Sequence, residues 1–132
     1  MTEFLSVLSV TLGCAFGGAA RFFVSGVVAR RVGETFPWGT LVVNATGAFA
    51  IGMLAASARA QGALADVHVW LAAVTGFLGS YTTVSSFSLQ TLMLVRDGER
   101  ARALGNIGLS VGLCVALAAL GIRAGGALFG LP

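Results

Sequence analysis

Hydroxyl side chains are concentrated in one short, otherwise apolar part of the chain. Seven of the nine residues from Ser80 to Ser88 are serine, threonine or tyrosine, and Gly76 and Gly79 precede them. Hydroxyls can replace water around a small ion, but they do not pack well against lipid. Glycines and clustered hydroxyls at membrane depth are typical of a broken helix that is buried in protein or lines a wet cavity. The run therefore predicts a helix interrupted between about Gly79 and Ser86.

Two further polar sets occur at helical spacing. Thr40 and Asn44 are four residues apart and so share one face of a helix. An asparagine in an apolar helix either joins helices through hydrogen bonds worth roughly 0.5–2 kcal/mol or lines a functional path. Both interpretations of Asn44 stay open on this pattern alone. The same spacing recurs near the C-terminus in Asn106, Ser110 and Cys114.

Arg21 is the only charged residue well inside an apolar segment. An ionisable side chain at that depth usually faces the bundle interior or a water-filled cavity, where a cation favours anions. The alternative is that Arg21 snorkels to the membrane surface. No aspartate or glutamate lies within an apolar segment, so the carboxylate on which small multidrug antiporters depend is missing. A passive anion path lined by hydroxyls and amides is the simpler interpretation.

The sequence contains no set of residues suited to catalysis. His68 is the only histidine and is expected in a loop, so neither a Ser-His-acid triad nor a histidine metal site can be built. Cys14 and Cys114 have no neighbouring ligands and are expected to be small core residues. The protein is therefore predicted not to be an enzyme.

Composition indicates the elements that hold these residues. Of the 132 residues 57% are hydrophobic and only 10% are charged, well below the roughly 25% charged residues of a soluble domain. A membrane-spanning helix needs about 20 apolar residues, so the length allows four spans. We predict an all-α membrane protein with one domain over 1–132 and spans at about 4–29, 37–58, 69–95 and 103–122.

Small residues predict where these helices meet at short range. The glycines expected at such contacts are Gly13, Gly17, Gly47, Gly52 and Gly112.

Three ordered motifs resemble the bacterial fluoride channels called Fluc or CrcB, and the resemblance covers essentially the whole chain. The first is Gly17-Gly18-Ala-Ala-Arg21, and the second is Phe36-Pro-Trp-Gly-Thr-Leu-Val-Val-Asn44 followed by Gly47. The third runs from Gly76 to Ser88 and contains the hydroxyl run. The resemblance implies passive fluoride export through a multi-pass protein of the bacterial inner membrane.

The family's architecture implies a dual-topology dimer of antiparallel subunits with two narrow pores. The resemblance places Asn44 of the second helix, Phe87 of the third and Ser110 of the fourth in each pore. Thr40, Thr83 and Val84 are predicted to complete the fluoride path, with Arg21 at its vestibule. A structural sodium ion at the dimer centre would be held by the main-chain carbonyls of Gly79 and Thr82.

Two residues depart from the family's pattern. Val84 stands where the family usually has the first of two pore phenylalanines, so only Phe87 remains of that pair. Valine has no polarised ring edge to offer an anion. Gln90 stands where a glutamate often follows the motif.

The distribution of arginines between the two sides of the membrane bears on whether the partner is an identical chain. With four spans, the first and third loops share one side of the membrane and carry five arginines at their helix ends: Arg30, Arg31, Arg96, Arg100 and Arg102. The opposite side has Arg59 and at most Arg123. This bias favours one insertion direction, with the termini outside, whereas an antiparallel homodimer needs both. We favour the homodimer because the motif set is complete, and the alternative is a heterodimer with an oppositely oriented homologue.

Two other functions stay open on the sequence. The first is a non-transporting membrane assembly protein, and the second, less favoured, is a small-cation or multidrug antiporter.

Overall fold

The computed structural model describes residues 2–60 and 65–131. It contains four helices long and apolar enough to cross a membrane: Thr2–Val32, Trp38–Arg59, Val67–Arg96 and Arg100–Phe129. This confirms the prediction of an all-helical protein with four spans. The second helix matches its prediction within one residue at each end, and the other three extend beyond the predicted segments, because helical hydrogen bonding continues into the polar flanks. The connection between the predicted second and third spans includes 61–64, which lie outside the described residues.

The first two spans are the continuous helices α1 (Thr2–Val32) and α2 (Trp38–Arg59). Gly33 ends α1 with φ 90°, a left-handed conformation that glycine adopts without a steric penalty. Pro37 comes directly before α2 with φ −75°, which suits a helix start. These two residues set the sharp reversal between the spans.

The third span consists of several pieces. It begins as α3 (Val67–Trp70), continues as a π-helical segment (Leu71–Leu78) and ends its first half as α4 (Gly79–Tyr81). The second half is α5 (Val84–Arg96), and the last span is α6 (Arg100–Phe129). The π-helical segment was not predicted from the sequence.

The break in the third span is confirmed, although it is shorter than predicted. Only Thr82 and Thr83 leave the helical conformation, with ψ 161° at Thr82 and φ −153° at Thr83. The Thr83 hydroxyl accepts a hydrogen bond from the Ser86 N–H at 3.2 Å, so it caps α5 and lets the helix restart at once. Gly79 and Ser86, the predicted limits of the interruption, are both helical.

His68 was wrongly expected in a loop. It lies in the first turn of α3, where the Asp66 carboxylate accepts hydrogen bonds from the His68 and Val69 N–H groups. This N-cap extends the helix two residues beyond the apolar run that begins at Val69.

Glycines allow two close helix contacts. A Cβ on Gly17 of α1 would collide with the Phe77 carbonyl, and one on Gly76 would lie 2.6 Å from the Val10 carbonyl. In the same way, a Cβ on Gly121 of α6 would collide with the Phe49 carbonyl of α2. Gly112, also predicted to be such a contact, makes none within the described chain: it is exposed, and a Cβ there would meet nothing within 4 Å.

Candidate functional site

Asn44 and Thr83 are joined by a pair of hydrogen bonds across the helix break. The Asn44 Nδ2 donates to the Thr83 carbonyl at 2.8 Å, and the Thr83 N–H donates to the Asn44 Oδ1 at 2.8 Å. A side chain of α2 thus bonds both main-chain groups of Thr83, the extended residue directly before α5. A primary amide has two N–H bonds, so one donor of Asn44 remains available to a ligand.

The break also leaves main-chain carbonyls without their helical donors, those of Gly79 and Thr82 among them. In a continuous helix the Gly79 carbonyl would accept from the Thr83 N–H, which donates to Asn44 instead. Likewise the Thr82 carbonyl would accept from the Ser86 N–H, which donates to the Thr83 hydroxyl. The Thr82 carbonyl lies 3.5 Å from Nη1 of Arg21, at the limit of a hydrogen bond. The carbonyl oxygens of Gly79 and Thr82 are therefore among the acceptors at the break.

The first of three cavities, the inner cavity, has a volume of about 480 Å³ and opens on one side of the chain. It brings together most of the predicted site residues, although they come from α2, both halves of the third span and α6. Val84 is 76% exposed, so its side chain points away from the protein interior at the open side. The predicted site residues that line this cavity are Asn44, Gly79, Thr82, Thr83, Val84, Phe87 and Ser110.

Arg21 and Thr40 lie in a second cavity, the middle cavity, of about 320 Å³. Thr40 therefore does not line the inner cavity with Asn44, although the two residues were predicted to share a helix face. Thr83 lines both cavities, so it stands between them. Ser85 and Ser86 also line the middle cavity, which places Arg21 in a pocket rich in hydroxyl donors.

A third cavity, the outer cavity of about 760 Å³, continues toward the ends of α1 and α5. It shares Ser25, Thr40 and Ser86 with the middle cavity. Its lining includes Gln90, whose Oε1 is buried without a hydrogen-bond partner. The charged residues of its lining are Glu34, Asp97, Glu99 and Arg102.

Neighbouring cavities share polar lining residues: Ser25, Thr40 and Ser86 between the outer and middle cavities, and Thr83 between the middle and inner cavities. Ser25, Ser85 and Ser86 were not singled out from the sequence. Ser85 and Ser86 belong to the hydroxyl run, but their direction depends on where the helix restarts.

Other polar contacts stabilise the frame around these cavities. The Ser80 hydroxyl donates to the Cys14 carbonyl at 2.9 Å and joins α4 to α1. The hydroxyls of Thr46 and Tyr81 are 2.9 Å apart and join α2 to α4. Asn106 and Ser110 of α6 are both buried, and Cys114 is half-buried at the inner cavity.

Comparison with known proteins gives consistent results. Residues 8–122 match the model of a family described as CrcB-like protein, Camphor Resistance (CrcB). The "Fluoride-specific ion channel FluC 2" of Bradyrhizobium diazoefficiens is 59% identical over 116 residues, which cover 87% of this chain and 85% of the relative. A protein of the same name from Rhodopseudomonas palustris is 58% identical, over 89% of this chain and 91% of the relative. "Fluoride-specific ion channel FluC 3" of Brucella suis is 50% identical, over 85% of each chain.

Proposed function

Because the chain belongs to the CrcB family, we propose that it is a fluoride-selective channel that lets the anion cross a membrane passively. The relatives carry the name of a fluoride-specific ion channel, not of an enzyme. The four apolar helices make it a multi-pass membrane protein. The observation that supports the proposal most directly is Asn44, whose amide joins the helix break and keeps one N–H free at the inner cavity.

Fluoride is small and strongly hydrated, so its path must offer hydrogen-bond donors in place of water. In the proposed path the ion passes the outer cavity and then meets Arg21, Thr40, Ser85 and Ser86 in the middle cavity. The arginine lowers the energy of an anion there, and each hydroxyl donates one hydrogen bond. The hydroxyl groups are neutral, so they bind the ion weakly enough for it to leave again.

Beyond Thr83 the ion reaches Asn44, Ser110 and Phe87 in the inner cavity. The positive edge of the Phe87 ring can contact an anion that has lost part of its water. Val84 offers no such edge and points outward at the open side, so the proposed path relies on one phenylalanine per chain. The donors of Asn44 and Ser110 complete the coordination.

Export is the proposed physiological direction, across the bacterial inner membrane. Fluoride enters as its neutral acid, ionises in the more alkaline cytoplasm and leaves through the channel. The inside-negative potential favours exit by about 2.3 kcal/mol per charge per 100 mV. No coupled ion or energy source is needed.

Fluoride efflux from liposomes is the direct test. We expect purified protein in vesicles to release trapped fluoride when only a charge-balancing ionophore is added, and to release far less chloride. A fluoride electrode measures the efflux, and empty vesicles are the control. Flux no greater than from empty vesicles would refute the channel.

We also propose that a second copy in the opposite orientation closes the open side of the inner cavity. Oxygen atoms, including those of unwound backbone, are suitable ligands for sodium. Gly79 and Thr82, whose carbonyls have lost their helical donors, line this cavity, so they would supply two oxygens from each chain to a structural sodium ion. Such an ion would link the two helix breaks.

The arginine bias bears on whether the partner is an identical chain. Gly33–Thr35 and Asp97 line the same outer cavity, so the first and third loops lie together at one end of the bundle. Five arginines flank these loops, which favours one insertion direction. We propose the homodimer, because the chain carries a complete donor path of its own. The alternative partner is an oppositely oriented homologue.

Expression of this chain alone tests the proposed homodimer. We expect a stable dimer whose melting temperature falls when sodium is replaced by N-methylglucamine. C-terminal tags should be accessible to a membrane-impermeant reagent from both faces of the membrane. Tags accessible only from the periplasm would contradict the homodimer and favour the heterodimer.

A further inference from the structure

Asn106 is the most completely buried polar side chain among the described residues, with an exposure of 1%. Its Nδ2 donates to the Thr91 hydroxyl of α5 at 2.8 Å. The Thr91 hydroxyl in turn donates to the Phe87 carbonyl at 2.7 Å. A hydroxyl can donate one bond while it accepts another. The two hydrogen bonds therefore form a continuous link from α6 to the turn of α5 that carries Phe87.

This hydrogen-bonded link matters because α5 is held by few other contacts. No residue of α5 is buried, whereas α6 has five buried residues. The N-terminus of α5 is held by the cap at Thr83, but Thr91 lies two turns further along. Within a membrane the hydrophobic effect adds little between helices, so close packing and interhelical hydrogen bonds hold them together.

The link also has a defined geometric relation to the proposed ion path. Ser110 follows Asn106 by one turn of α6, and Phe87 precedes Thr91 by one turn of α5. Phe87 and Ser110 both line the inner cavity. Neither Asn106 nor Thr91 lines the inner, middle or outer cavity in the described part of the chain. Their contribution is therefore indirect.

From these contacts we infer that Asn106 is a positioning residue: through Thr91 it sets the separation of Phe87 and Ser110 across the ion path. The inference rests on the proposed channel function. When the link is lost, α5 moves more freely against α6 and the path loses its fixed width. Fluoride then loses close-fitting partners, and larger anions meet a weaker barrier.

Thr91→Val and Asn106→Leu test the link, singly and together. We expect each single variant to lower the fluoride-to-chloride permeability ratio about fivefold, the effect of about one hydrogen bond. The double variant should be no worse than the singles, because both remove the same interaction. Thr11→Val is the matched control, since the Thr11 hydroxyl also donates four residues back, to the Val7 carbonyl, but on the exposed face of α1.

An unchanged ratio in Thr91→Val, or losses that add in the double variant, would overturn the inference. Thr91→Val decides the question alone if Asn106→Leu does not fold. Hydrogen exchange gives a readout that does not depend on flux: the α5 amides should exchange about fivefold faster in Thr91→Val than in the parent, for the loss of about one hydrogen bond. If the parent protein conducts no fluoride, the proposed function fails, and unchanged exchange in α5 would separately reject the positioning role.

Discussion

Asn44→Asp should reduce fluoride flux in liposomes about a hundredfold, which corresponds to ~2.8 kcal/mol at 1.4 kcal/mol per factor of ten. The Asn44 Nδ2 donates to the Thr83 carbonyl at 2.8 Å, and an ionised carboxylate has no hydrogen to donate. The variant would therefore place a negative oxygen against that carbonyl. It would also place a negative charge in the proposed path of an anion.

Two further variants separate these effects. Asn44→Ala removes both hydrogen bonds without adding a charge, so its flux should lie between those of the parent and Asn44→Asp. Gln90→Glu is a matched change from amide to acid in the outer cavity, which Glu34, Asp97 and Glu99 already line. It should have a much smaller effect on flux, because a carboxylate in the outer cavity leaves the hydrogen bonds at the helix break intact. Unchanged flux in Asn44→Asp would mean that Asn44 only joins helices.

Gly17→Ala should have the largest effect on stability. A Cβ on Gly17 would lie 2.9 Å from the carbonyl carbon and from Cα of Phe77, and would collide with the Phe77 carbonyl oxygen. These are backbone atoms, so no side-chain rotation can relieve the contact. Overpacking of this kind costs about 1–3 kcal/mol or more, and here it also moves α1 away from the half of the span that carries Gly79 and Thr82.

Thermal unfolding in detergent, monitored as the fraction of monodisperse protein, measures this effect. Gly105→Ala is the matched control, because within the described chain a Cβ on Gly105 of α6 would meet nothing within 4 Å. Alanine is also the better helix former by about 1 kcal/mol, so the control should melt no lower than the parent. Equal melting temperatures for Gly17→Ala and Gly105→Ala would contradict the close helix contact.

Local patterns in the sequence were sufficient to predict the number of spans and the presence of a break in the third. Apolar segments about 20 residues long can be recognised without knowing what they contact, because the surrounding lipid imposes the same length on every spanning helix. A run of hydroxyls after Gly79 predicts irregular backbone because such groups need hydrogen-bond partners in the membrane. The motifs around Arg21, Asn44 and Phe87 indicated the family, and the family is confirmed.

The individual roles of the site residues remain predictions, but the structure decides which of them can act together. Thr40 lines the middle cavity with Arg21, while Asn44 lines the inner cavity one turn away. A helical repeat identifies the shared face of two residues, but it does not say which neighbouring element each one meets.

The sequence by itself determined the four apolar helices, an interruption in the third and the supply of donors for an anion. Only the tertiary structure decided that the break is confined to Thr82 and Thr83, that Asn44 bonds to it and that Asn106 of α6 donates to Thr91 of α5. The physical reason is that membrane helices are apolar on nearly all faces, so hydropathy does not encode their rotation or register. These are set where glycines let backbones approach and where a few polar groups find partners on another helix.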